Sequence, residues 1–428
     1  MVLKEVSLDD VLAAAETLED LGIPVAIVTD LLLRLLYSEG HVSLGRAAEI
    51  TRVHGRVLDN VLQQMQHEHI VEVASAGAVG RMSYVYALSE AGRERAKDAF
   101  ERSQYLGPAP VSLERYNLAI ELQTQSREKV TPEQVQQALS DIVLPENFHR
   151  RIGPAINTGQ SLFLYGPPGN GKTTVAQVIA RLIAAESPIW LPFAVTVGGQ
   201  IITIYDPLIH RLVPGTADKG TTGSLGVDKR WALFERPAVM AGGELTMAAL
   251  DLRYDPVAKY YEAPLQMKAN GGMLLIDDFG RQQVSPAQLL NRWIVPLEAA
   301  IDFLRLQTGQ TMEIPFRQML VFSTNLDPND LVDDAFLRRI QMKVRIDAPD
   351  ERTYYQIFMQ MCERLNIPFD RESFVYLIGE WYRRRGYEMQ AVHPRDLLNI
   401  VVALCEYESR PRQLTPELIE DACQNYFV

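Results

Sequence analysis

The spacing of apolar residues divides this chain into stretches of different periodicity. Leu31, Leu32, Leu35 and Leu36 recur at helical intervals and stop near Gly40. Ser43 is placed to cap a second helix through Ile50, and Val57, Val61, Leu62 and Met65 mark a third. The strand-like runs 70–73 and 83–88 follow, joined by a turn around Gly77 and Gly80. These elements predict a small α+β unit over residues 1–105. Gly107-Pro-Ala-Pro110 and a mixed polar helix then suit a linker over 106–130. Thr131 with Gln134 reads as a capping box that opens the next helix. From 131 to 348 apolar strands alternate with helices, which predicts a parallel α/β sheet. Within this part, 303–306 and 311–314 flank Gly309 as a hairpin. Residues 349–428 carry helical periodicity throughout and predict a smaller helical lid.

Composition narrows the setting more than the chemistry. No apolar run reaches the roughly 18 residues a membrane span needs, the best candidate being broken by Asp30 and Arg34. The acidic start, with Glu5, Asp9 and Asp10, lacks the basic flank of a signal peptide. Cys362, Cys405 and Cys423 are widely spaced and odd in number, which argues against a disulfide framework and points to a reducing cytoplasm. His67 and His69 flank Glu68, and alternate residues of a helix point different ways, so a surface reading is preferred to a metal site. The net charge of −12 disfavours a chain devoted to coating nucleic acid. Residues 1–105 hold ten Lys/Arg against sixteen Asp/Glu, so that segment has no global basic footprint either.

The candidate chemistry lies in GPPGNGKT, residues 166–173. The strand-like SLFLY precedes it, and Val175, Val178, Ile179, Leu182 and Ile183 follow at helical spacing. That strand, loop and helix context is what a phosphate-binding loop requires. Gly166, Gly169 and Gly171 let backbone N–H groups converge on phosphates at a helix N-terminus. Pro167, Pro168, Asn170 and Thr174 complete the expected ATP-binding set. Lys172 is expected at the β- and γ-phosphates and Thr173 at Mg²⁺. Downstream, the buried-strand pattern MLLI (273–276) ends in Asp277 and Asp278. Consecutive strand residues point opposite ways, which assigns Asp277 to the metal and Asp278 to activation of water.

In this order the motifs resemble an AAA+ ATPase over roughly 70% of the chain, with GPPGNGKT as Walker A and MLLIDDFG as Walker B. Asn325, after the apolar run MLVFST, resembles sensor 1. Arg338 and Arg339 resemble the pair that supplies an arginine finger to a neighbouring subunit, and Arg395 in HPRDL resembles sensor 2. The resemblance implies an α/β P-loop domain with a C-terminal helical lid, and a homo-oligomeric ring, a hexamer, that hydrolyses ATP to remodel a protein partner. The hairpin around Gly309 is similar to one shared by the MoxR, Clp and Lon branches, and a MoxR-like affinity is the closest placement. YALSEAGRERA (86–96) and the elements before it resemble a winged helix, which would recruit a protein substrate or adaptor, or alternatively DNA. Tyr260 and Tyr261 are either channel-lining contacts or buried packing. Two features depart from the family pattern. Asp278 stands where glutamate is usual, which leaves a slow nucleotide-controlled switch open, and Lys172 and Asp277 are further apart than a minimal core needs, with the glycine-rich GTADKGTTGSLG (215–226) between them.

Overall fold

The computed structural model describes residues 6–76, 81–125, 129–144, 148–159, 161–214, 226–331 and 337–427. Its centre is a five-stranded sheet in the order Ala238–Ala241, Met273–Ile276, Met319–Thr324, Leu162–Tyr165, Met342–Arg345, with every pairing parallel. The central strands are apolar on both faces because helices cover both. Leu162, Leu164, Leu275 and Val321 pack with Ile156, Val175 and Ile179 on one face. Phe163, Leu274, Ile276 and Phe322 pack with Leu289 and Trp293 on the other. The strand before the phosphate loop thus lies inside the sheet, one in from its edge, so the loop emerges between Met319–Thr324 and Met342–Arg345. The C-terminal part is helical, from Glu351–Leu365 to Pro416–Tyr426, around its own core of Tyr354, Phe358, Trp381, Leu397 and Leu418. The α/β class with a C-terminal helical part is as expected.

Two expectations need correction. Residues 106–130 are not a linker: Val111–Ser112 pairs in parallel with Ala194–Val197, and the helix Leu113–Gln125 buries Tyr116, Ala119 and Ile120. The parallel pattern also does not run unbroken to 348. Between the loop helix and Met273 the chain adds four strands that join Val111–Ser112 in a second, mixed sheet, ordered Arg253–Asp255, Tyr260–Glu262, Gln200–Thr203, Ala194–Val197, Val111–Ser112. It shares a core with the antiparallel pair Ile189–Pro192/Trp231–Phe234 and the hairpin Ile301–Arg305/Thr311–Pro315. This insertion accounts for the distance between Lys172 and Asp277. Residues 215–225 of the glycine-rich stretch lie outside the described residues. Tyr261 is buried, with its hydroxyl accepting from the Gln307 amide at 3.0 Å, and Tyr260 packs edge-on against Tyr105 at 5.5 Å. Both therefore serve packing.

The N-terminal unit has the helices Val25–Glu39, Leu44–Thr51, Gly55–His67 and Glu90–Arg102 around a three-stranded antiparallel sheet. Ser43 caps the second helix by accepting from Arg46 N, as its position suggested. A short strand, His41–Ser43, joins Val85–Leu88 and Val71–Ser75, an element too brief to show in the pattern. The turn with Gly77 and Gly80 lies outside the described residues. This unit is anchored to the insertion by a buried ionic cluster. Arg230 donates to Asp228 and to the carbonyls of Leu21 and Pro110, while Arg115 reaches Asp228 and the carbonyls of Val11 and Ala13.

Candidate functional site

The phosphate loop takes its shape from close backbone approaches. Gly166, Gly169 and Gly171 all have positive φ, at 134°, 72° and 89°. A side chain at Gly166 would strike the Ile346 carbonyl, which follows the neighbouring strand. The helix Lys172–Ala184 then begins with Gly171 as its N-cap, leaving its first N–H groups facing the loop. Lys172 is 6% exposed, and its ammonium donates to the carbonyls of Gly166 (2.9 Å) and Pro167 (2.8 Å). Burial lowers its pKa from the usual lysine value, against the opposing pull of Asp278 and Asp277. A buried cation beside the open N–H groups of a helix N-terminus can hold an anionic group.

Thr173 Oγ1 lies 3.0 and 3.2 Å from the two Asp277 carboxylate oxygens. A hydroxyl and a carboxylate brought together at the phosphate loop fit a hard divalent cation such as Mg²⁺, which also takes phosphate oxygens and water. No group of three or more His, Cys, Asp or Glu side chains forms a metal cluster among the described residues. The strand ends at Ile276, so both aspartates sit in a turn, and it is the turn, not strand alternation, that separates them. Asp278 has φ 49°, is exposed, and accepts from Asn325 Nδ2 at 3.4 Å. Asn325 follows the strand Met319–Thr324, so the two residues meet from adjacent strands.

The helical part closes this arrangement into a cleft of about 400 Å³. The Val392 amide donates to Gly169 O at 2.9 Å, and the Ala391 amide to Asn170 Oδ1 at 3.0 Å. Asn170 thus acts as a latch for the lid as well as a loop residue. Arg395, on the helix His393–Tyr407, lines the cleft while its Nε donates to Asp396 at 2.9 Å. Arg395 thus borders the cleft while it is paired with a neighbouring carboxylate.

Arg338 and Arg339 stand outside this cleft. Arg339 is tied to Glu298 by its Nε at 2.7 Å, whereas Arg338 is exposed and has no ion pair among the described residues. Much of the segment before them, 332–336, lies outside the described residues. Sequence reasoning missed the apolar wall of the cleft, Ile142 and Val143 from one side and Ile357 and Met361 from the lid, with Gln360 and Arg364 beside them. The i, i+4 spacing of Ile357 and Met361 marks a shared helix face, but nothing in the sequence says that this face looks toward the loop. A larger groove, of about 530 Å³, lies between Arg52–Gly55 and Asp228–Lys229 and has no comparable set of phosphate-binding groups.

A family model described as a domain of unknown function, DUF8689, matches residues 350–425, within the helical part. No curated protein matches the chain. Among solved structures, the chain is similar to NtrX from Brucella abortus in complex with ADP, at 14% identity over 78% of this chain and 66% of that one, TM-score 0.40. It is also similar to the RuvB Holliday junction branch migration motor of Thermotoga maritima, at 14% identity over 73% of this chain and 71% of that one, TM-score 0.36.

Proposed function

We propose that this chain binds ATP with Mg²⁺ and hydrolyses it, acting as an AAA+ ATPase. The observation that carries the reading is the convergence of Lys172, Thr173, Asp278 and Asn325 on one cleft that the helical part latches shut, with Asp277 bonded to Thr173. Loop N–H groups and Lys172 would bind the phosphates, and Thr173 and Asp277 would hold the cation. The cation, when bound, neutralises charge on the phosphate oxygens. Asp278, exposed toward the cleft, would accept a proton from the attacking water, with Asn325 fixing its carboxylate. Ile142, Val143, Ile357 and Met361 form an apolar wall suited to an adenine face. Arg395 would contact the phosphates from the lid.

The same reading makes the working form a homo-oligomeric ring, a hexamer of MoxR-like affinity, since Arg338 is exposed and lies away from its own cleft. It would supply the finger, with Arg339 held by Glu298. The N-terminal unit, taken as a winged helix, would recruit a protein to be remodelled. Ion pairing supports protein over duplex DNA as its partner: Arg46, Arg56, Arg81, Arg95 and Arg102 are each paired with a carboxylate. Phosphate binding needs uncommitted cations. The buried, unpaired thiols of Cys362, Cys405 and Cys423 support a reducing compartment, the cytoplasm. No helix among the described residues is long and apolar enough to cross a membrane.

Two measurements test the proposal. Phosphate release from Mg·ATP should be abolished by Lys172→Ala together with nucleotide binding, and by Asp278→Asn without loss of binding. Nucleotide binding with no turnover by the unmutated chain, alone or with cell extract, would refute hydrolysis and favour a binding switch, to which the short Asp278 side chain lends itself. Salt-sensitive duplex binding abolished by charge reversal at Arg52 and Arg56 would replace the protein partner by DNA.

A further inference from the structure

Asp278 is held in place by a residue that never enters the cleft. Its neighbours are tied to opposite sides of the strand they leave: the Asp277 amide donates to Ala241 O at 2.8 Å, and the Phe279 amide to Ser323 O at 2.7 Å. Phe279 is 1% exposed and wedged against Phe163 and Phe322, with its carbonyl accepting from Thr324 Oγ1 at 2.7 Å. The residue between must reverse the backbone, and Asp278 does so at φ 49°, in the left-handed region that non-glycine residues occupy at a cost. Across this reversal lies Gln282. Its Oε1 accepts from the Gly280 amide at 2.8 Å and its Nε2 donates to the Asp277 carbonyl at 2.7 Å. One side-chain amide thus closes both ends of the turn, and Gln282 is absent from the cleft lining.

We infer that Gln282 is a positioning residue for hydrolysis, which holds the Asp277–Gly280 turn in the conformation that carries the Asp278 carboxylate to the reacting water. The inference rests on the hydrolase reading above. It explains how an aspartate serves there: the side chain is shorter than glutamate by one carbon–carbon bond, about 1.5 Å, and the left-handed backbone changes where it starts from. Gln282 matches the task because a glutamine both donates and accepts. Asparagine would be too short to span the two backbone groups, and an ionised glutamate would keep the contact to Gly280 N but lose the donor to Asp277 O.

The test is a double-mutant cycle between Gln282→Ala and Asp278→Glu on the full chain, reading kcat, the ATP dissociation constant and the melting temperature. Gln282→Ala should lower kcat by about 10- to 100-fold, the range a displacement near 1 Å produces, while leaving the ATP dissociation constant unchanged. Asp278→Glu should not raise turnover in the native turn, but should raise it in the Gln282→Ala background, where the longer side chain restores reach. Gln282→Glu, which keeps one of the two contacts, should fall between the native chain and Gln282→Ala and serves where the alanine variant folds poorly. Equal effects of Asp278→Glu in both backgrounds, or loss of ATP affinity in step with kcat, would reduce Gln282 to a structural role and overturn the inference. Absence of turnover in the unmutated chain would overturn the hydrolase reading and this inference with it, and the unmutated control separates that result from the others.

Discussion

Arg230→Met should loosen the N-terminal unit from the insertion, and the cost follows from the hydrogen bonds that the guanidinium makes. The Arg230 side chain is fully buried and Asp228 is 4% exposed. Arg230 donates to both Asp228 oxygens, the shortest contact being 2.7 Å, to Leu21 O at 3.1 Å and to Pro110 O at 3.0 Å. Removing one member of a buried pair costs about 3–5 kcal/mol. Arg115 still reaches Asp228 at 3.2 Å, which argues for the lower end, about 3 kcal/mol. The two stranded carbonyls then add about 1 kcal/mol each. The expected loss is therefore about 5 kcal/mol in the transition that unfolds this interface. Urea unfolding followed by tryptophan fluorescence is the assay, with Trp231 next in the chain and 3% exposed as a local reporter. Asp228→Leu added to Arg230→Met should recover part of the loss, because it removes the carboxylate left with one partner, while Arg115 keeps its carbonyl contacts to Val11 and Ala13. A single-variant loss below about 1 kcal/mol, or a double variant no more stable than the single, would refute the assignment of docking to this cluster.

Three further outcomes follow from the cleft and its lid. Gly169→Ala should weaken ATP binding, since φ is 72° there and the added Cβ would meet Gln390 Oε1 and come within 3.0 Å of Val392 Cγ1, forcing the lid off the loop; nucleotide titration reads the effect, and unchanged affinity would show that the latch is not needed. Arg338→Ala should lower turnover without changing the melting temperature, whereas Arg339→Ala should cost roughly 0.2–1 kcal/mol of stability through its partly exposed pair with Glu298; turnover unchanged by both would remove the shared-site model. The lid should also lose stability as pH falls from about 6.5 to about 4, and His393→Phe should flatten that dependence in thermal melts across the range. Burial beside Tyr382, Tyr426 and Phe427 holds His393 down at about 4 against 6.5 when unfolded, with Asp396 opposing. The unfolded chain therefore binds the extra proton in that window, and stability is full only above it.

What could be read from the sequence was whatever depends on local pattern. The phosphate loop, the run ending in Asp277 and Asp278, and the caps at Ser43 and Thr131 each concern residues a few positions apart, and each is present. The insertion was hidden because the strands of its sheet are only two to four residues long and pair across large separations, as Val111–Ser112 does with Val195 and Thr196. Periodicity over so short a run cannot distinguish a strand from a linker. Arg115 and Arg230 were equally hidden, since a charged residue reads as surface until its partners are known. The same limit applied to Asp278: strand alternation predicted opposed aspartates, and the aspartates do part, but through a left-handed turn whose closure depends on Gln282.

These long-range contacts connect the two ends of the proposed activity. The N-terminal unit rests on the insertion through Arg230 and Arg115, and through Tyr105 against Tyr260. The insertion in turn continues into Met273–Ile276 by way of Asn270, whose side chain donates to Tyr116 on the helix Leu113–Gln125 and to the Pro315 carbonyl at 2.9 and 2.8 Å. That strand ends at Asp277 and Asp278, where the nucleotide would act. On the proposed reading, a change at the turn would therefore reach the N-terminal unit through these contacts, separately from the lid. The lid reaches the loop separately, through Val392 and Ala391. Loosening Arg230 should consequently uncouple partner stimulation from hydrolysis while leaving basal turnover and ATP affinity intact, whereas crowding Gly169 should impair ATP affinity first.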